Sequence, residues 1–318
     1  MSNKILVITP VRHITGVPEI LESAGKVTYM DDPSVEEVIS VISDYDAIFT
    51  NPNKSNVFLG KEIIDRGKRL KVICTASTGT NHIDKQYAAD KNIKVLSLTE
   101  EREVINKISS TAEHAFALML TSLRHIPQAY DSVKRGEWDY EPFIGRQLDQ
   151  LTVGVVGYGR LGSLFANYSQ AFGSTVLVYD PHKDVNDGGI NQVGLEELLT
   201  KSDVISLHIH VTGETKGMVN EAWLSRMKRD VLLVNTSRGD ICNEEDIISF
   251  LCDNPGAIYA TDVLADEVLH KNTNSLREFA GQSDQILITP HIGGMTREGQ
   301  MIAYNHAACL LSVFFKIV

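Results

Sequence analysis

The chain has 318 residues, 43% of them hydrophobic and 22% charged, with a formal net charge of −11. That length exceeds what one core ordinarily supports, so two domains of ordinary globular composition are expected. The acidic balance is spread along the chain; it argues against a nucleic-acid or anionic-membrane partner and leaves room for a small anion held by local arginines.

The opening residues MSNKILVITP carry an apolar run too short for a signal peptide or a membrane span, and it reads instead as a first buried strand. Strand-like runs over 5–8, 26–29, 47–50, 71–75 and 94–98 alternate with helical spacing near 18–24, 33–43 and 60–67. This βα alternation implies a parallel sheet flanked by helices. An apolar-rich helix over 111–123 follows, with Ser109 or Ser110 as its expected cap. Further strands are expected at 151–156, 175–179, 204–208, 231–235, 258–261 and 286–289, and helices near 195–200, 221–227 and 244–252. The tail from Met295 reads as one helix with Ile302, Leu310, Leu311 and Phe314 on its apolar side. The expected organisation is α/β, with a discontinuous first domain (1–100 plus 294–318) and a second domain over 101–293. Cys74, Cys242, Cys252 and Cys309 have neither metal-ligand nor disulfide spacing, so no metal site is expected and the location expected is cytoplasmic.

The stretch from Leu151 to Asp180 carries the most specific signal. The strand breaks into Gly157-Tyr158-Gly159-Arg160-Leu161-Gly162, a helix follows, and a second strand ends at Asp180. In a dinucleotide site the first glycine permits the tight turn, the second lets the backbone approach a pyrophosphate, and the third lets the helix pack on the strand. The helix start adds N–H groups and the positive end of its dipole. Asp180 stands where a carboxylate would accept hydrogen bonds from a ribose and repel a 2′-phosphate, which favours NAD over NADP.

Three later strand tips carry Arg238, Glu267 and His291. Ligands of open parallel sheets bind beyond the carboxyl ends of the strands, so these tips converge on the cofactor. A neutral His can take a hydroxyl proton as hydride leaves. A carboxylate on its other nitrogen fixes the tautomer, and an Arg fork suits a substrate carboxylate. After the strand at 71–75, Ser77-Thr78-Gly79-Thr80 could expose successive N–H groups to a carboxylate or form an ordinary strand-to-helix turn; alone it favours the ordinary turn. His13, His114, His125, His208, His270 and His306 show no partner in the sequence, and structural roles are expected of them.

STGTNHID at Ser77, STAEHA at Ser110, VGVVGYGRLG at Val153, DVISLHIHVTGETKGMVN at Asp203, MKRDVLLVNTSRGD at Met227, ATDV at Ala260 and TPHIGG at Thr289 together resemble the D-isomer-specific 2-hydroxyacid dehydrogenases, in their phosphoglycerate dehydrogenase-like branch. The resemblance implies two Rossmann-like or flavodoxin-like domains with a cofactor cleft between them, NAD as cofactor, a small 2-hydroxy or 2-oxo acid as substrate and a homodimer. It implies His291 as acid/base paired with Glu267, and Arg238 on the substrate carboxylate and carbonyl. Asp262 would bind the nicotinamide carboxamide, with Thr111 beside the nicotinamide, Arg160 and Leu161 at the pyrophosphate, and Asp180 at the ribose. His210, Thr215, Thr236, Ser237 and Gly293 complete the implied cofactor site. Thr78 and Gly79 match amides that grip the substrate carboxylate, which reverses the reading of that turn as ordinary. Asn51 and Lys54, in the loop after the third strand, are the expected substrate selectors, because the phosphate-reading Arg of similar phosphoglycerate dehydrogenases is missing there. His210 departs from the family's usual proline. Two other readings stand beside the enzyme: an NAD-sensing corepressor or scaffold, and phosphite oxidation, against which Thr78 stands where a lysine is needed.

Overall fold

Short β-branched strands alternate with helices that each bury one apolar face, and a computed structural model describes residues 2–53, 57–186, 188–267 and 273–317 of the result. The chain forms two compact units, Met1–Ile108 with Gly294–Val318, and Ser109–Gly293.

The first unit holds a sheet of β1 (Lys4–Val7), β2 (Lys26–Tyr29), β3 (Ala47–Thr50), β4 (Val72–Thr75) and β5 (Lys94–Leu96) in the order β2-β1-β3-β4-β5. Every pairing is parallel. Alternate residues feed opposite faces, as the two-residue strand period requires. Ile5, Val7, Phe49, Val72 and Cys74 enter one cluster, and Leu6, Ile8, Ile48 and Ile73 the other. The first cluster is completed from the far end of the chain: helix Arg297–Ile317 supplies Tyr304, Ala307, Ala308 and Leu311. Of the apolar positions expected to face inward there, Leu311 is fully buried while Ile302, Leu310 and Phe314 are half-buried.

The break between units falls at Ser109 rather than at residue 101. The intervening segment belongs to the first unit because helix Arg102–Ile105 buries Ile105 in that core, and Glu101 Oε2 pairs with His306 Nε2 at 2.7 Å. The expected serine cap of the next helix, Ser110–Leu123, is also not formed. Ser109 is itself in helical conformation, and its hydroxyl bonds the Glu113 carboxylate instead.

The second unit holds β6 (Thr152–Val156), β7 (Thr175–Tyr179), β8 (Ile190–Gln192), β9 (Val204–Leu207), β10 (Leu232–Asn235), β11 (Ile258–Thr261) and β12 (Ile286–Ile288). Their order is β12-β11-β10-β9-β6-β7-β8, again all parallel. The order reverses between β6 and β9, the switch point at which such sheets bind ligands. Helices Ser110–Leu123 and Arg160–Ala171 cover one face around Val153, Val155, Val176, Val178 and Val234; helices Leu195–Lys201, Glu221–Leu224, Glu244–Asp253 and Ser275–Ala280 cover the other. No helix among the described residues is long and apolar enough to cross a membrane.

Candidate active site

The glycine turn follows β6 directly. Gly157 has φ +90°, and a Cβ there would meet the His208 carbonyl oxygen at 2.6 Å. The next strand tip is therefore packed against the turn, and only glycine fits. A Cβ on Gly162 would lie 2.0 Å from the Gly157 carbonyl oxygen. A Cβ on Gly159 would meet nothing within 4 Å. Two glycines are thus required by the fold, whereas the third faces open space at the start of helix Arg160–Ala171. That is the arrangement a pyrophosphate needs.

Asp180 is already organised. Its Oδ2 accepts the Tyr158 N–H at 2.8 Å and its Oδ1 the His182 N–H at 2.9 Å, while Lys183 Nζ donates to the Tyr158 carbonyl at 2.8 Å. The strand-end carboxylate and the glycine turn form one hydrogen-bonded unit with the aspartate's remaining lone pairs available to a diol. His208, beside this turn, shares a hydrogen bond of 2.9 Å with Ser206 and packs on Phe165; desolvation holds its ring down to about 3, so it is neutral. The Thr236 hydroxyl, buried at the tip of β10, has no partner among the described residues. A shielded hydroxyl of this kind is costly unless a ligand group or water meets it. Open space at Gly159, a set carboxylate at Asp180 and an orphaned hydroxyl at Thr236 all fit a bound dinucleotide.

The turn after β10 carries Ser237, whose hydroxyl donates to the Leu207 carbonyl at 2.7 Å, and Arg238, whose Nη1 donates to the Ser237 carbonyl at 2.6 Å. Asn235 supports this turn: its Nδ2 donates to the Arg238 carbonyl at 3.0 Å and its Oδ1 accepts the Ser237 N–H at 3.0 Å. Burial lowers the Arg238 pKa from its ordinary value, and the carboxylates of Glu267 and Asp240 oppose that shift. Gly239 lies so close to the backbone at Leu264 and Ala265 that a Cβ would reach the Leu264 carbonyl carbon at 2.0 Å. The Arg238 turn and the segment leading to Glu267 are therefore in backbone contact. Glu244 Oε1 accepts the Ala265 N–H of that segment at 2.7 Å, and its Oε2 accepts the Asn274 amide at 2.5 Å. Burial raises the Glu244 pKa above the ordinary carboxylate value.

His291 Nδ1 and Glu267 Oε1 are 2.6 Å apart, both side chains about one-fifth exposed. A contact this short between an imidazole and a carboxylate is a charge-assisted hydrogen bond. It assigns a proton to the Nδ1 side of the ring. The backbone around the pair is unusual: Asp266 has φ +47° and His291 φ +54°. Left-handed conformations are rare outside glycine and cluster at functional sites. Asp262, at the tip of β11, accepts the Ile292 and Gly293 N–H groups at 2.9 and 2.7 Å and the Thr289 hydroxyl at 2.5 Å. Burial pushes its carboxyl up, but these bonds and His114 outweigh it and hold the group below the usual carboxylate range.

The structure thus brings Arg238, Glu267, Asp262, His291 and Gly293 together at successive strand tips of one sheet. The sequence shows no partner for His114; in the fold its Nε2 lies 2.8 Å from Thr289 Oγ1 and 3.3 Å from Asp262 Oδ1. Gly293 is held near the same helix, since a Cβ there would approach Thr111 Cγ2 at 3.4 Å. His306 and His208 likewise have partners, as given above. The exposed His210 contributes its carbonyl to the Thr215 hydroxyl at 2.6 Å, which shapes the loop after β9.

In the first unit, Asn51 is 2% exposed and its side chain is committed within the fold, Nδ2 to the Ala76 carbonyl at 2.9 Å and Oδ1 to the Asn53 N–H at 3.0 Å. Its amide joins the tips of β3 and β4 rather than presenting itself to a ligand. Lys54 lies outside the described residues. The carbonyls of Thr78 and Gly79 are taken by Thr99 Oγ1 at 2.8 Å and Ser77 Oγ at 2.6 Å, which fixes the orientation of that turn.

Residues 116–293 match the family model described as D-isomer specific 2-hydroxyacid dehydrogenase, NAD binding domain. A D-3-phosphoglycerate dehydrogenase of Synechocystis sp. is 34% identical over 286 residues, 89% of this chain and 49% of that protein. A hydroxypyruvate reductase of Thermotoga maritima is 34% identical over 265 residues, 83% of each chain. The chain spans about half the length of the curated D-3-phosphoglycerate dehydrogenases it matches. Among solved structures, a D-lactate dehydrogenase from Aquifex aeolicus complexed with NAD and lactic acid has a TM-score of 0.80 at 28% identity, covering 99% of this chain and 96% of that one. With the glycine turn, the acid at the second strand and the paired strand-tip residues, these similarities establish that the chain belongs to the D-isomer-specific 2-hydroxyacid dehydrogenase family.

Proposed function

We propose that the protein is an NAD-dependent oxidoreductase that interconverts a small D-2-hydroxy acid and its 2-oxo acid. The observation that carries this reading is the 2.6 Å His291–Glu267 pair on the same row of strand tips as Arg238. A scaffold or corepressor would need the dinucleotide turn, but it would have no use for an imidazole oriented by a carboxylate on the same row of strand tips as a guanidinium.

When bound, NAD supplies the hydride acceptor. Gly157, Gly159, Arg160, Leu161 and Gly162 would hold its pyrophosphate, Asp180 its adenosine ribose, and Asp262 the carboxamide, with Thr111, His210, Thr215, Thr236, Ser237 and Gly293 lining the remainder. Arg238 would bind the substrate carboxylate and polarise the neighbouring oxygen. His291 Nε2 would take the proton of the 2-hydroxyl in oxidation and return it in reduction. Glu267 keeps the Nδ1 proton in place and stabilises the imidazolium that forms. By the family resemblance, Thr78 and Gly79 would serve the substrate through their N–H groups, and Asn51 and Lys54 would take part in selecting it.

Substrates of the class of 3-phosphoglycerate, hydroxypyruvate and lactate suit this chemistry, and the names of the relatives support that range. A cytoplasmic homodimer is part of the proposal. Ile126, Tyr130, Val133, Trp138, Tyr140 and Ile144 are all more than half exposed, with Trp138 at 90%, and so large an apolar display is typical of an interface. The test is a screen of 2-oxo acids, phosphorylated and not, followed by NADH absorbance, with mass measured in solution alongside. Turnover of at least one 2-oxo acid is expected; stable partner capture with no turnover of any would favour the scaffold.

A further inference from the structure

We infer that His114 is a positioning residue for the acid/base pair, acting through Thr289 and Asp262 on the turn that carries His291; the inference rests on the dehydrogenase reading above. His114 belongs to helix Ser110–Leu123, at the start of the second unit, and is 175 residues from Thr289 in sequence.

The proton arrangement follows from the donors available. Asp262 is held in its ionised form by its hydrogen bonds and only accepts. Thr289 has one hydroxyl proton and gives it to Asp262 Oδ1 at 2.5 Å. Toward His114, 2.8 Å away, Thr289 Oγ1 can therefore only accept. His114 must carry its proton on Nε2, and the same N–H also points at Asp262 Oδ1, 3.3 Å away. A helix imidazole, a threonine hydroxyl and a buried carboxylate thus close a small polar ring. Three further bonds tie it to the His291 turn: Asp262 accepts the N–H groups of Ile292 and Gly293, and the Thr289 carbonyl accepts that of His291.

That turn needs support. His291 sits at φ +54°, a left-handed conformation that a non-glycine residue keeps only where its surroundings impose it. The ring supplies three of the turn's constraints, and His114 is the one member contributed by a helix rather than by a strand tip. Removing the His114 N–H leaves Thr289 and Asp262 bonded to each other but no longer anchored to the helix. The His291 turn would then relax toward ordinary backbone angles, and the Nδ1–Glu267 alignment would loosen.

The test compares His114→Gln, whose side-chain amide can place an N–H where Nε2–H was, with His114→Leu, which fills the space without a donor. His114→Asn, polar but too short to reach Thr289, serves if the leucine variant does not fold. The first readout needs no cofactor: the imidazole nitrogen resonances of His291 in ¹⁵N-labelled protein. The native protein and the glutamine variant should show one fixed Nδ1–H tautomer. The leucine or asparagine variant should show an exchange-averaged ring. The second readout is kinetic: the donor-less variant should lose at least tenfold in kcat with the KM for NADH within threefold, while the glutamine variant stays within threefold of native on both. A donor-less variant with native His291 resonances and native kcat overturns the inference, as does a glutamine variant that falls as far as the leucine one. If the native protein turns over no 2-oxo acid yet the resonances divide as described, the dehydrogenase reading fails and the positioning role stands.

Discussion

Adding one methyl group to either of two glycines three residues apart should have opposite consequences. Gly162 lies inside helix Arg160–Ala171, where glycine-to-alanine ordinarily gains about 1 kcal/mol from helix propensity. Its Cβ, however, would stand 2.0 Å from the Gly157 carbonyl oxygen and 3.1 Å from the carbonyl carbon, both in a turn at φ +90° that has no room to withdraw. Overpacking against a fixed backbone costs about 3 kcal/mol, the upper part of the usual range. The net expectation for Gly162→Ala is a loss of about 2 kcal/mol, or a melting temperature roughly 4–8 °C lower for a unit of this size. Gly159 has φ −76°, which alanine adopts, and nothing within 4 Å of its Cβ position. The entropy gained by replacing glycine and the weaker capping by alanine nearly cancel, so Gly159→Ala should stay within about 0.5 kcal/mol of the native stability. Its methyl instead occupies the approach to the pyrophosphate and should weaken NADH by at least about tenfold, near 1.4 kcal/mol. Thermal melts and NADH fluorescence titrations separate the two effects. A Gly159→Ala protein that binds NADH normally, or a Gly162→Ala protein that melts at or above the native temperature, refutes the reasoning.

Other outcomes follow from the same geometry. His291→Ala should lower turnover by about 10²–10⁴-fold while NADH affinity stays within threefold, as stopped-flow and fluorescence titration would show; Glu267→Gln should lose less, about 10–100-fold in kcat. Asp180→Ala should weaken NADH far more than NADPH, and equal losses would remove the basis for NAD preference. Asp203 accepts the Thr152 N–H at 2.8 Å and the cations of Arg146 and Lys228 at 3.0 Å each; burial opposes these bonds, yet they hold its pKa below the usual value. A depressed folded pKa contributes stability above the unfolded value, near 4, that is lost as pH falls through the folded one. Asp203→Asn should therefore cost about 2 kcal/mol in urea unfolding at pH 7 and progressively less below about pH 4, whereas a pH-independent deficit would contradict this assignment.

Where local chemistry decides an element, the sequence was enough. The βα alternation and the glycine turn gave both parallel sheets, because those runs have no polar face to offer solvent. The row of Arg238, Glu267 and His291 followed from topology alone, since each comes directly after a parallel strand. Other features depend on partners far along the chain. β8 buries only Ile190 and exposes Asn191 and Gln192, so no period marks it; it forms because β7 offers an open edge. Helix Ile126–Lys134 begins after His125 at φ +50° and carries much of its apolar surface outward, so no inward-facing helical period marks it in the sequence. His114 has no local partner, and its role emerges only when β11 and β12 bring Asp262 and Thr289 beneath the helix. Ser109 looked like a cap, but a helical residue cannot turn its hydroxyl back onto the first N–H groups.

The helix Arg297–Ile317 has a consequence for the order in which the molecule is made. It supplies Tyr304, Ala307, Ala308 and Leu311 to a core whose other residues all precede Ile108. During synthesis these strands must wait for a helix that begins roughly 190 residues later, a delay of about 10–40 s at ordinary elongation rates. The second unit, continuous in sequence, has every strand in hand before then. The dinucleotide turn can thus close on a ribosome-bound chain while Ile5, Val7, Val17 and Leu21 still lack the apolar surface that covers them. Nascent chains stalled before residue 297 should resist protease over 109–293 and be cut within 1–108. Protection of both regions would mean that the first sheet manages without its last helix.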